Sequence, residues 1–361
     1  MRDPLAFLQV PALSRAVEPL AERLAMPTLP LHIHEVVGAA LLYTFIQVVV
    51  SPVVSNRFFP QFYPRHNRAK KANWDTHVVS LVQSVIINVL ALWVMYADEE
   101  RKAMDQDQRV WGYTGGCGLI QALAAGYFVW DLGITVLNFD IFGLGMLAHA
   151  LSALTVYTFG FRPYLNYYST VFILYELSTP FLNIHWFCDK LNMTGSKPQL
   201  YNGIALLVTF FLCRLVWGTW QSFMVYADMW HGARGAPSAA YIAEAFADPL
   251  TAADPDQNIM YFARDAASIP LWLTLLYLAS NVVLNTLNWY WFVKMVKAVR
   301  KRFEPPVPGK RKSEALPADA APRTRASAVE DKDRIAVRQR RAHSIEDVVP
   351  DSEELREGTI Q

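Results

Sequence analysis

Seven stretches of this 361-residue chain run for close to 20 residues with almost no charge, and that length dictates the solvent they need. A helix rises about 1.5 Å per residue, so about 20 apolar residues cross a hydrocarbon core of about 30 Å. The stretches cover 36–55, 78–97, 117–139, 144–161, 164–186, 201–227 and 269–293. The last is the cleanest, with no charged residue between Asp265 and Lys294, and the fourth is the shortest. Such segments must be helical, because lipid offers no partner to a free backbone amide. The expected fold is an all-α polytopic membrane protein with about seven transmembrane helices. Residues 1–31 form an N-terminal luminal or interfacial segment, 32–302 the transmembrane domain, and 303–361 a cytosolic tail.

Charge supports that division. The tail from Phe303 to Gln361 carries 23 charged residues in 59, whereas the first 302 residues carry 42. A segment so polar cannot bury enough apolar surface to offset chain ordering, and the tail is expected to be disordered. Within it, Arg340-Arg-Ala-His-Ser344 followed by Glu346 and Asp347 suits a kinase. A net charge of +1 excludes a bulk nucleic-acid binder, which needs a concentrated basic surface. Three cysteines, Cys117, Cys188 and Cys213, without a CxxC spacing indicate neither a disulfide framework nor a zinc site, and no metal or cofactor is expected.

Lys and Arg flanking a span stay on the cytosolic side. The first loop carries Arg57, Arg65, Arg68, Lys70 and Lys71, the second is on balance acidic, and Lys294 to Arg302 is basic. These signs place the N-terminus in the lumen and the C-terminus in the cytosol. The acidic loop from Asp228 to Ser268 is then luminal.

Four ionisable side chains fall deep inside spans: Asp131, His149, Glu176 and Arg214. Each costs about 2.5–3.5 kcal/mol to insert at a helix centre, so each requires a reason. They sit at nearly one depth on four successive spans, which points to a shared internal site displaced towards the cytosol. Polar stripes at helical spacing add to it: Asn281, Asn285 and Asn288; Ser80, Ser84 and Asn88; Asp131 and Asn138; Glu176, Thr179 and Asn183. Pro180 cannot donate to the carbonyl of Glu176, so a kink or widened turn is expected beside that carboxylate. The bland alternative is a set of interhelical ties, with Arg214 paired to Glu176 or Asp131. The tryptophans Trp74, Trp111, Trp186 and Trp230 read as membrane-interface belt residues, and His66, His77 and His185 as interfacial.

The strings Gly126-Tyr-Phe-Val-Trp-Asp131, Gly145-Met-Leu-Ala-His149 and Tyr175-Glu-Leu-Ser-Thr-Pro-Phe-Leu-Asn183 followed by Trp186, with Asn73-Trp74 before Ser80 and Arg214 downstream, resemble the TLC-domain family. That family is named for translocating-chain-associating, longevity-assurance and ceroid-lipofuscinosis proteins. The resemblance is strong over Trp74 to Tyr226, and is closest to small members of the transmembrane-protein-56 type. It implies six core helices around a lipid-sized cavity and residence in the endoplasmic reticulum. Its ceramide synthases acylate a sphingoid base from acyl-CoA with a His-His pair and a downstream Asp-Asp pair. Here the first pair reads Ala148-His149, and no Asp-Asp dipeptide occurs.

The expected function is therefore lipid handling: lipid binding, lipid homeostasis or control of membrane composition. The membrane lipid is the expected partner, held by Glu176, Thr179, Asn183, Arg214, Asn138 and Asn285. The alternative is an acyltransferase in which His149 is the base, Asp131 orients it and acyl-CoA is the co-substrate. A trafficking adaptor working through the tail is the second alternative. Oligomeric state leaves no mark in the sequence.

Overall fold

The computed structural model describes residues 1–255 and 257–303, and every regular element among them is helical. The tail beyond the last helix, with its Ser344 motif, lies outside the described residues. The principal helices are α1 (Pro11–Leu24), α2 (Leu29–Phe58), α3 (Arg68–Ala97), α4 (Gly115–Leu137), α5 (Phe139–Phe159), α6 (Thr179–Lys190), α7 (Lys197–Arg234) and α8 (Leu271–Phe303). Helix starts follow the local chemistry. The side chain of Asn67 accepts from Lys70 N at the head of α3, Thr114 from Cys117 N at α4, and Ser196 from Gln199 N at α7.

Six helices among the described residues are long and apolar enough to cross a membrane: α2, α3, α4 with the preceding turn Gln106–Trp111, α5, α7 and α8. Their outer faces expose Val48, Val89, Trp220, Phe223 and Val282, apolar surface suited to lipid and costly in water. The seventh expected span, 164–186, is not one helix. It is divided into a 3₁₀ turn at Asn166–Tyr168, one α turn at Ser169–Phe172, a 3₁₀ stretch at Ile173–Ser178 and then α6. Two causes are visible. Ser178 Oγ and Thr170 Oγ1 donate back to the carbonyls of Tyr175 and Tyr167, competing with helical pairing, and Pro180 lacks the N–H that a continuous helix needs. Proline is tolerated where it stands, in the first turn of α6.

The helices close a ring. α2 packs along α4, α4 on α5, α5 on α8 and α8 on α7; the first half of α7 packs on α6, and α6 on α3, which returns to α2 and α4. The broken segment passes through this ring between α3, α4 and α7, and Ile173, Leu174, Tyr175 and Glu176 are all buried there. Two crossing helices contain π turns, Ile46–Val50 in α2 and Phe211–Trp217 in α7. The first directly precedes Ser51-Pro52, where a widened turn relieves the clash of the proline ring with the carbonyl four residues back. In α5, Gly143 adopts φ 70° and ψ −175°, a conformation that strains any side-chain-bearing residue, and the helix is offset there.

The loop from 235 to 270 is folded onto one end of the bundle. Tyr113 N donates to Ile259 O at 2.8 Å, Tyr241 Oη to Asp105 at 2.6 Å, and Arg109 holds Asp228 through Nε and Nη2 at 2.8 and 3.0 Å, with Tyr168 Oη adding a bond at 2.7 Å. The N-terminal segment lies at this same end. Gly115 N donates to Met1 O at 3.0 Å, and Asp3 comes beside Glu35 in α2. Burial, reinforced by Glu35, pushes the Asp3 carboxyl up to about 6.

At the opposite end the aromatic residues depart from the belt reading. Trp74 and Trp186 are buried in one cluster with Tyr63, Trp74 Nε1 donates to Ser55 Oγ at 2.9 Å, and His77 stacks on Trp186 at 4.0 Å between centroids. His185 is buried there as well, and at the loop-cap end Trp111 is buried whereas Trp230 is exposed. Apolar rings near a span end serve an internal joint as readily as an interface, and sequence position does not separate the two.

A close helix crossing runs through Gly126, where a Cβ would strike the carbonyl of Val36 and the Cβ of Ala39 on α2. Replacing Gly126 by Leu should separate α2 from α4 and cost about 1–3 kcal/mol by overpacking. The check is a lowered thermal midpoint of the detergent-solubilised protein, with Gly38→Leu, where the space is open, shifting it far less.

Candidate functional site

Inside the ring lies a cavity of about 80 Å³, and it takes in residues from α4, α5, the broken segment, α7 and α8. Its walls are mostly aromatic and aliphatic, among them Phe128, Ala153, Tyr157, Tyr164, Phe172, Ile173, Val225 and Tyr277. Its polar lining includes Gln121, Ser169, His149, Glu176, Arg214, Asn281 and Asn288, of which Glu176 and Asn288 gather on Arg214.

Arg214 organises the polar region. It stands on the π turn of α7, and three helical segments supply its acceptors. Nε donates to Ser178 Oγ at 3.0 Å, Nη2 to Thr179 Oγ1 at 3.1 Å and Nη1 to Asn288 Oδ1 at 3.0 Å, while Glu176 Oε1 lies 3.7 Å from Nη2. The guanidinium also stands 5.0 Å from the ring centroid of Phe210. Three of its five N–H groups are thus bonded, and both members of the ion pair are buried. Glu176 sits on the 3₁₀ stretch, so the irregular backbone turns its carboxylate into the cavity rather than along α6.

Not every polar atom here is satisfied. His149 Nδ1 and Asn288 Nδ2 are buried without a hydrogen-bond partner. The His149 ring lies between Phe128 and Trp291, with centroids 6.0 and 5.7 Å away, and among the described residues no carboxylate is hydrogen-bonded to its Nδ1. Unpaired buried polar atoms cost about 1–3 kcal/mol each, and a bound polar group or water would remove that cost.

The structure sorts the residues singled out by sequence. His149, Glu176 and Arg214 meet in the cavity, and Thr179 supports Arg214 directly. Asp131 is buried on α4 but lies outside the lining and makes no hydrogen bond to His149, so the expected orienting pair is not formed. Asn183 is an interhelical tie, with Nδ2 donating to Ser80 Oγ at 3.0 Å and Oδ1 bonded to His77 Nδ1 at 2.7 Å. Asn138 joins α4 to α5 and accepts from Arg68 Nη2 at 3.1 Å. Asn285 donates to Ser222 Oγ of α7 at 3.1 Å and to Asn281 Oδ1 at 2.8 Å, bracing the cavity wall from behind. Sequence reasoning overlooked Ser178, although it lies in the string that carries Glu176, and it missed the aromatic walls, which look like any apolar residues of a span.

Six long apolar helices with an internal cavity define an all-α polytopic integral membrane protein. A family model for the TLC domain matches residues 73–297, and the chain belongs to the TLC-domain family, a family linked to lipid metabolism. A TLC domain-containing protein of Schizosaccharomyces pombe is 38% identical over 305 residues, covering 84% of this chain and 90% of its own length. Topoisomerase I damage affected protein 4 of Saccharomyces cerevisiae is 26% identical over 281 residues, 76% of this chain and 86% of its own. TLC domain-containing protein 4 of Homo sapiens is 30% identical over 178 residues, 48% of this chain and 64% of its own.

Removing Arg214 alone strands Glu176 as a buried charge. Arg214→Met should therefore cost about 3–5 kcal/mol, and adding Glu176→Gln should recover a large part of it. Thermal unfolding of both variants in detergent checks this, and additive losses would show that the two side chains do not act as a pair.

Proposed function

We propose that this chain binds a membrane lipid inside its helical ring, with the acyl chain among the aromatic walls and the polar group at His149, Glu176, Arg214 and Asn288. The observation that carries this reading is the amphipathic cavity itself: apolar over most of its surface, with a polar cluster on Arg214 and with His149 Nδ1 and Asn288 Nδ2 buried and unpaired. A lipid tail gains little on leaving the bilayer for such a cavity, because both are hydrocarbon-like. Discrimination between lipids then falls to the polar region, where a buried guanidinium has N–H groups to spare and a neighbouring carboxylate accepts. The role that follows is lipid handling in the endoplasmic reticulum, with the N-terminus in the lumen and the C-terminus in the cytosol. The family's link to lipid metabolism supports the reading.

One observation favours a second reading, acyl transfer from acyl-CoA. His149 lines the cavity and its Nδ1 has no partner, and a neutral imidazole there could take a proton from a lipid amine or hydroxyl. Against it, residue 148 is alanine, and no carboxylate fixes the ring's tautomer. The adaptor reading rests on the tail, which lies outside the described residues.

The two readings separate in cells that lack the protein. Re-expressed Ala153→Trp, which fills the cavity, should fail to restore the lipid profile, whereas His149→Ala should weaken restoration by no more than about tenfold, the loss of a single polar contact. Loss of restoration by His149→Ala at matched folded levels, of the order of 100-fold as for a missing general base, would instead establish acyl transfer. Restoration by Ala153→Trp would remove the cavity from the function altogether.

A further inference from the structure

At the end of the bundle that carries the loop cap, Asp3, His34 and Glu35 converge outside the cavity described above. One potential ligand atom from each lies within 4.8 Å of the others. Glu35 is 4% exposed, and the side chain of Asp3 is 7% exposed. Two carboxylates held together in a buried place repel one another unless a cation or a shared proton lies between them.

The hydrogen bonds around the group leave a consistent set of lone pairs. His34 Nε2 lies 3.2 Å from the carbonyl of Leu5 and must donate to it, which makes Nδ1 the ring's acceptor. That Nδ1 is buried and no donor reaches it, and the same is true of Glu35 Oε1. The other oxygen of Glu35 is held by His32 Nδ1 at 2.6 Å, and His32 Nε2 is bonded to Tyr113 Oη at 2.7 Å. Asp3 Oδ1 accepts from Leu5 N at 2.8 Å. Each candidate ligand is therefore oriented by a second group on its far side, the arrangement that fixes metal ligands.

We propose that Asp3, His34 and Glu35 bind a divalent transition-metal ion of the zinc class, which staples the N-terminal segment to α2. One imidazole nitrogen with two carboxylate oxygens suits zinc, whereas calcium and magnesium favour oxygen donors alone. Three protein ligands leave a fourth tetrahedral position for water. The cysteines take no part: all three are buried elsewhere. Nothing in the sequence marks the site, since Asp3 and the His34-Glu35 pair lie on different segments.

The test uses the full chain purified in detergent with a histidine-free tag, stripped with chelator, reloaded with zinc and freed of excess. Metal analysis should find about one zinc per chain, as a single three-ligand site requires. Glu35→Gln and His34→Ala should fall to about a tenth of that or less, a loss of the order expected from removing a ligand. His231→Ala, which breaks an imidazole–carboxylate contact with Asp107, should retain the metal. Zinc should also raise the thermal midpoint of the wild type but not of His34→Ala. If Glu35→Gln does not fold, Asp3→Asn replaces it, and cobalt bound to the wild type should show the absorption of a tetrahedral nitrogen–oxygen site. Zinc uptake by the wild type no greater than by His34→Ala, or equal loss in His231→Ala, overturns the proposal.

Discussion

A guanidinium placed in a bilayer-spanning bundle must be supplied with acceptors by its neighbours, because lipid supplies none. Arg214 meets that demand through Ser178, Thr179 and Asn288, with Glu176 as counter-charge, and so binds α7 to the broken segment and to α8. Those three elements form a wall of the cavity. The helices cannot slide or rotate independently without stranding a buried charge, and the same contacts position the polar region that a ligand would meet. Register and binding chemistry thus depend on one side chain.

The irregular backbone gathers around this point. A π turn carries Arg214, and a 3₁₀ stretch carries Glu176. Unpaired backbone groups are tolerated at membrane depth only when protein or a lined cavity covers them. The broken segment satisfies that condition because the ring surrounds it and because Ser178 and Thr170 bond its carbonyls. A straight helix over 164–186 would carry Glu176 in regular α-helical register with Thr179 and Asn183; in the broken segment Glu176 and Thr179 both meet Arg214, while Asn183 ties α6 to α3.

The two ends of the bundle are built differently. One is closed by aromatic packing of Trp74, Trp186 and Tyr63, with Asp75 accepting from Ser51 Oγ and Tyr63 Oη. The other is closed by buried charge, in Asp228 held by Arg109 and in Asp3 and Glu35 beside two histidines. Paired or ligated charges fix geometry more sharply than apolar contact, which suits the end where a long loop and the N-terminal segment must be held against the helices.

The amino-acid sequence alone determined the solvent of this protein. Span length, charge-free runs and the placing of His149 and Arg214 inside such runs follow from a rise of about 1.5 Å per residue, which needs no knowledge of neighbours. It also carried the family, through strings whose residues stay adjacent in the chain. Tertiary structure decided which polar residues face one another. Helical phase puts Asp131 and Asn138 on one face of α4, yet only packing shows that Asp131 lies outside the cavity lining and that Asn138 caps a helix junction. Packing likewise decided that 164–186 is buried in pieces rather than exposed to lipid as a span, since hydropathy measures the wish to leave water and not the continuity of a helix. The meeting of Asp3 with His34 and Glu35 is of the same kind, a contact between segments distant in sequence, to which local propensity and periodicity are blind.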